Sequence, residues 1–257
     1  MKTLLAPLLL LILITSCNEK PTREIYSLTL YRLDTVTQEQ MVDEYLSKAL
    51  LPALHRAGIN SVGVFKPVPQ DSLAFGKRIW VLVPYHSLED FHHTTETLLN
   101  DAEYNNAGRT YLEATHEQTP YDRMEVTLME AFVGMPNMEK PTLKGPREER
   151  IYELRNYEGP TEKRNRSKIK MFNAGDEIGL FRTLSFNSVF FGEVLAGSRM
   201  PNLMYMTTFD NMASRDAHWK QFFEHPQWKE LIAIDEYKNT VSKAEIHLLQ
   251  PTFYSDY

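Results

Sequence analysis

The chain repeats itself once, and that repeat limits what it can fold into. IYSLTLY at 25–31 lines up with IYELRNY at 151–157, sharing Ile25/Ile151, Tyr26/Tyr152, Leu28/Leu154 and Tyr31/Tyr157 at an offset of 126 residues. Asn60-Ser61-Val62 recurs as Asn187-Ser188-Val189 at an offset of 127. RIWVLVPY at 78–85 returns in pattern as NLMYMTTF at 202–209, and MEVTLM at 124–129 as AEIHLL at 244–249, at offsets of 124 and 120. The order is kept, and the offset drifts only where loops intervene. A period of this length is a duplicated domain, since solenoid repeats run at roughly 20–50 residues.

Each copy reads strand, helix, strand, strand, helix, strand. The strand segments alternate, or are rich in β-branched and aromatic residues. In the first copy, Met41, Val42, Tyr45, Leu46, Ala49, Leu50, Ala53, Leu54 and Ala57 fall on one broad helical face, and Gly58 stops the helix. Pro52 predicts a kink within it, because proline removes a backbone donor and crowds the preceding turn. A second helix follows Ser87. In the second copy the corresponding helix starts near Asn211 and ends at Pro226, with a short helix from Trp228 to Ile234. The Pro/Gly-rich stretch 134–149 is a linker, which sets the units at 24–133 and 150–257. The expected class is α+β: two tandem ferredoxin-like (βαββαβ) units with helices on one sheet face. Each bare face needs a cover, and the other unit supplies it, giving a pseudo-dimeric α+β barrel in one chain.

Residues 1–17, MKTLLAPLLLLILITSC, have a basic start, an apolar core too short to span a bilayer, and Ile14-Thr15-Ser16-Cys17 at the end. This is the pattern of a bacterial lipoprotein signal peptide. Cys17 is the chain's single cysteine and the expected lipidation site. Residues 18–23 would be a tether, and Asn18 is not an inner-membrane retention signal. The expected location is therefore the cell envelope, lipid-anchored at the outer membrane. The lone cysteine also rules out an internal disulfide or a thiolate nucleophile in the mature body. A net charge of -6 argues against a nucleic-acid partner. No phosphate-binding glycine loop, nucleophile elbow or zinc-spaced cluster is present, so neither a metal nor a cofactor is expected from motifs.

At IYELRNY, at FNSVFFGEVLAG (186–197) and at SRDAHWKQFFEHPQWKEL (214–231), the sequence resembles the NIPSNAP family. The resemblance covers about 23–257 and is stronger in the second unit; the first has Phe91-His92-His93 in place of an Arg…His-Trp pattern. It implies ferredoxin-like modules related to the dimeric α+β barrels. Those barrels include cofactor-free monooxygenases, haem enzymes of the chlorite dismutase kind and pure binding proteins, so the implied activity is open, with haem the one cofactor kept in view.

Strand parity suggests where chemistry could sit. If the apolar faces meet the helices, the second unit turns Glu153, Arg155, Tyr157, Glu193, Glu245 and His247 into the barrel, with Asn187 on the side of Glu193. Ser27, Thr29, Tyr31 and Thr127 are the first unit's milder counterparts. The functional reading is a pocket for an unknown small ligand, in which Arg155 orients an anion or carbonyl and His247 or Glu193 moves a proton. The alternative is a buried ion-pair network in a packed, non-catalytic interaction protein. A cavity of a few hundred Å³ beside Arg155, Tyr157 and His247 favours the first. His218 is expected to cap an aromatic core, and the basic run 163–170 to be a solvated helix face. A homo-oligomer remains open.

Overall fold

Both copies build the expected element order, in the computed structural model that describes residues 22–71 and 74–257. The signal peptide, Cys17 and most of the tether lie outside the described residues. The first unit contributes β1 Ile25–Arg32, β2 Gly63–Pro67, β3 Arg78–Tyr85 and β4 Arg123–Ala131. The second contributes β5 Ile151–Glu158, β6 Phe190–Ala196, β7 Asn202–Phe209 and β8 Lys243–Pro251. Three of the four sequence repeats coincide with strand pairs β1/β5, β3/β7 and β4/β8. The Asn-Ser-Val repeat forms the turns before β2 and β6, where Asn60 and Asn187 each donate from Nδ2 to the carbonyl two residues back.

The first helix of unit one is α1 Val36–Tyr45, a π-helical turn Leu46–Leu50 and α2 Leu51–Arg56. Its start is fixed by a reciprocal capping box between Thr35 and Gln38. Pro52 comes directly after the π turn, in which Leu51 N–H reaches back to the Leu46 carbonyl. The wider turn takes up the proline that sequence alone reads as a kink. Helices α3 Leu88–Asn100, α4 Ala102–Ala107 and α5 Arg109–Leu112 complete this layer. Unit two has α6 Glu162–Asn173, α7 Glu177–Thr183, α8 Met212–Glu224 and α9 Pro226–Ala233. Ser87 and Asn211 cap α3 and α8. Among the described residues, no helix is long and apolar enough to cross a membrane.

The eight strands close into one antiparallel barrel in the order β1-β3-β2-β8-β5-β7-β6-β4. Two seams join the units. At one, β2 pairs with β8 through Phe65↔Pro251 and Pro67↔Leu249. At the other, β4 pairs with β6 through Met129↔Val194 and Ala131↔Gly192, after a bulge at Leu128/Met129. A Cβ on Gly192 would lie 3.0 Å from Met129 Cβ, so glycine allows that close approach.

Closure makes the interior the driest part of the molecule, and the strands turn their apolar sides inward. Tyr26, Leu28, Phe65, Trp80, Leu82, Tyr152, Leu154, Phe190, Met204, Met206 and Leu249 fill it. Phe65 meets Tyr152 at 5.0 Å between ring centroids, and Tyr26 meets Phe190 at 5.4 Å. One end is stoppered: Tyr257 packs on Phe65 and Tyr152, and Met138 and Leu143 of the linker rest on the same core. Outside the barrel lie two helix-covered layers, around Val42, Leu46, Ile79 and Val81 in unit one, and around Phe172, Phe181, Phe191 and Phe222 in unit two.

Candidate functional site

The opposite end of the barrel is polar. The C-terminal ends of β1 and β5 and the N-terminal ends of β3, β4, β7 and β8 surround a cavity of about 120 Å³. Arg32, Arg78, Glu125, Thr127, Asn156, Asn202, Glu245 and His247 line it over a floor of Leu28, Leu30, Trp80 and Met204, and Ser198 and Arg199 of the β6–β7 loop close one side. Both units contribute at equivalent places. At the offsets of the repeat, Arg78 corresponds to Asn202, Glu125 to Glu245, Thr127 to His247, and Leu30 to Asn156. The cavity therefore straddles the pseudo-two-fold axis.

Its two carboxylates are committed. Arg32 Nε donates to Glu125 Oε1 at 2.6 Å, and Arg199 pairs with Glu245. Arg78 has no ion-pair partner among the described residues, so the cavity retains a free cation. The His247 ring lies 5.1 Å from the Trp80 indole. Burial, reinforced by Arg78, Arg199 and Arg32 and opposed by Asp71, pushes the His247 pKa down to about 4. At neutral pH His247 is an uncharged imidazole, able to donate from one nitrogen and accept at the other. Asn202 Nδ2 donates to Asn156 Oδ1 at 2.7 Å, and Asn202 Oδ1 is buried with no partner.

A second charged cluster lies on the other side of the sheet, beneath the helices. Glu153 is completely buried. It accepts from Arg155 Nε at 2.5 Å, from Arg215 Nε at 2.5 Å and from Trp219 Nε1 at 3.0 Å. The Arg155 guanidinium stacks 3.7 Å from the Trp219 ring centre and donates to the Tyr157 hydroxyl at 2.9 Å. Tyr157 and Tyr205 share a further bond of 2.9 Å. Beside them Lys168 pairs with Glu177 at 2.7 Å, both buried, and burial raises the Glu177 pKa while Lys168 pulls it down. Every member is bonded, as buried charges must be.

The seven sequence-nominated site residues therefore separate. Glu245 and His247 face the barrel, as parity on β8 suggested. Glu153, Arg155 and Tyr157 face the helices, because Tyr152 and Leu154 take the dry interior. Glu193 pairs with Leu203 on the same outer side. Asn187 sits before β6 in a turn with φ 45° and holds the Ser185 carbonyl. In unit one, Ser27, Thr29 and Tyr31 likewise face outward, and Thr127 faces in. Arg32, Arg78, Asn156, Arg199 and Asn202 were missed. Asn156 shares its face with Tyr152 and Leu154, so inverting the assumed parity of β5 would have placed it. His218 caps the aromatic layer as expected, with Nδ1 2.6 Å from the Ser214 carbonyl and its ring on Phe186 and Phe209. Most of the basic run is exposed, but Lys168 is not. Neither His247, at a small polar cavity, nor His218 faces a large apolar pocket, so neither is placed as a haem ligand. Among the described residues, no group of three or more His, Cys, Asp or Glu is placed to hold a metal ion.

Residues 152–256 match the NIPSNAP family model. The second unit is a NIPSNAP domain. No curated protein matches the sequence significantly. Among solved structures, the chain is similar to a protein provisionally assigned as a monooxygenase from Lactobacillus acidophilus NCFM, with a TM-score of 0.57, 10% identity and coverage of 89% of this chain and 94% of that one. A second protein with the same provisional assignment, from Fusobacterium nucleatum, gives a TM-score of 0.54 at 10% identity, covering 90% and 93%. An anthrone oxidase-like protein gives 0.56 at 13% identity, covering 91% and 93%. At such identity these likenesses concern the fold: the α+β barrel of tandem ferredoxin-like units. Glu153 and Arg155 of IYELRNY and Arg215 and Trp219 of SRDAHWKQFFEHPQWKEL, two of the segments in which the resemblance was seen, belong to the buried cluster.

Two outcomes follow. Glu153→Gln leaves two guanidinium groups without their shared carboxylate and should cost about 3–5 kcal/mol of stability, read by urea unfolding; an unchanged midpoint would remove the structural role. The His247 effect has a definite sign. Between pH 6.5 and about 4 the unfolded chain binds a proton that the folded chain does not, so stability falls as pH falls through that window. The loss approaches about 3 kcal/mol near the folded-state pKa. Unfolding of His247→Gln measured from pH 7 to 4.5 should lack that component.

Proposed function

We propose that the chain is a membrane-tethered envelope protein of NIPSNAP type that binds a small oxyanion at the polar end of its barrel. The observation that carries the binding reading is Arg78: a guanidinium with no ion-pair partner among the described residues, lining a cavity whose other charges are paired. A cavity of about 120 Å³ suits a ligand of a few heavy atoms, or the charged end of a larger one, because whole drug-sized ligands occupy about 300–1,000 Å³. His247, neutral and lying beside Trp80, adds a hydrogen-bonding group that does not compete for the anion. A second reading is favoured by the packing of the rest of the interior: a non-catalytic interaction protein whose barrel is filled by its own side chains.

The two separate in solution. Acetate titrated into the purified body should shift the NMR signals of His247 and Trp80 at millimolar concentration. Arg78→Met should weaken binding about tenfold or more, the worth of a charge-assisted hydrogen bond. The same substitution removes one of the cations acting on His247, so its pKa should rise, which shows that the variant is folded and altered at the site. No shift with acetate supports the second reading.

The envelope assignment rests on residues 1–17. Radiolabelled fatty acid fed to a bacterial host should label the full chain but not Cys17→Ala, and the label should fractionate with the outer membrane. A labelled alanine variant would place the lipid elsewhere.

A further inference from the structure

The barrel end carries more information than a single cation, because the duplication allows its two halves to be compared. A strictly symmetric barrel would present each lining group twice across the axis. Here the two glutamates are kept, each paired with an arginine, while the other positions have diverged: Arg78 faces Asn202, and Thr127 faces His247. The unit-one side of the cavity thus offers a cation, and the unit-two side offers amides and an imidazole.

The amide side is incomplete as it stands. Asn202 is 2% exposed, and its Oδ1 has no partner. A buried carbonyl oxygen left unbonded is destabilising, since it has given up its water without gaining a donor. Exchanging oxygen and nitrogen in the two side-chain amides does not remove the deficit. One bond joins Asn156 to Asn202, and either assignment leaves one amide oxygen without a donor and one amide NH₂ with hydrogens to spare. As placed, the atom without a partner is an amide oxygen, and in the exchanged assignment an NH₂ takes its position; a hydroxyl, which both donates and accepts, suits either, opposite Arg78 in a cavity a few atoms across.

From this we infer that the ligand of the barrel end is an asymmetric small carboxylate with a hydroxyl on the adjacent carbon, its carboxylate on Arg78 and its hydroxyl hydrogen-bonded to the Asn156–Asn202 amide pair. The inference rests on the oxyanion reading above and adds the ligand's second group. Binding forms no covalent bond.

Glycolate and propionate make the test, since they have the same shape and charge and differ by a hydroxyl in place of a methyl. Both are titrated by NMR into the folded body, and into a variant carrying Asn156→Leu and Asn202→Leu together, so that neither amide is left stranded. The expected result is glycolate binding at least tenfold tighter than propionate, with the preference collapsing in the double variant while propionate binding persists. Equal affinities for the native protein would overturn the hydroxyl assignment and leave the oxyanion reading standing. A preference that survives in the double variant would overturn the role of the amide pair. Failure of both acids to bind the native protein would remove the oxyanion reading, and this inference with it. If the double variant does not fold, the native protein's ratio of the two affinities still decides the matter.

Discussion

A sheet edge cannot be left bare, and most of this structure follows from how the chain avoids one. Each ferredoxin-like unit ends in two edge strands, β2 and β4 in the first and β6 and β8 in the second, whose backbone groups need partners. The duplication brings the partners in the same chain. Once β2 joins β8 and β4 joins β6, no edge remains and the interior is sealed along its length. Sealing then fixes which face of each strand must be apolar. Tyr152 and Leu154 turn inward because water cannot reach them there. Glu153 and Arg155, one residue out of phase, are forced to the other face.

That forced placement explains the buried cluster of unit two. A carboxylate beneath a helical layer is tolerable only when that layer brings donors to it. Helix α8 does so with Arg215 and Trp219, one turn apart on the same side. In unit one the strand positions are Ser27 and Thr29, and helix α3 has Phe91 and Thr95 at the equivalent places. The charges are missing from both elements together. The space is taken instead by tyrosines, with Tyr45 stacked on Tyr111 at 3.7 Å and hydrogen-bonded to Tyr104 at 2.9 Å. The pattern is what mutual dependence requires, since half of such a network would leave a buried charge unpaired. Glu153, Arg155, Arg215 and Trp219 therefore hold α8 to its sheet.

Much of this was legible in the sequence. The order of elements along the chain, the caps at Ser87 and Asn211, the break at Pro226 and the pairing of units all followed from periodicity and the repeat. The faces of β5 were not. IYELRNY has apolar residues on one side and charged ones on the other, and the natural assumption gives the helices the apolar side. A helix and a barrel interior compete for it, and only the closure of the barrel, which depends on residues a hundred positions away, awards it to the interior. On β8 no such conflict arises, and Glu245 and His247 were placed correctly. The remaining lining residues stand singly at strand ends, where local patterning has little to say. Lys168 was misread for a related reason: its partner Glu177 lies on the next helix, and a basic run does not reveal which of its members has one.

The two ends of the barrel differ because the chain has only one linker and one C-terminus, and both arrive at the same end. The linker brings Met138 and Leu143, and the C-terminus brings Tyr257, onto the interior core where β1 and β5 begin. At the other end the connections are the β2–β3 loop, the turn between β6 and β7 and the passages into and out of helices, and the strands end there in the polar cavity. Water therefore reaches the last interior positions of the strands, and polar residues can occupy them at little cost to stability. The axis of the duplication runs through this open end, so a change in either unit alters one side of a shared cavity without disturbing the other. Arg78 against Asn202 and Thr127 against His247 are changes of that kind. A homodimer of single units has the same barrel but must repeat every residue across its axis. Fusing the units in one chain lifts that restriction at the polar cavity of the barrel end.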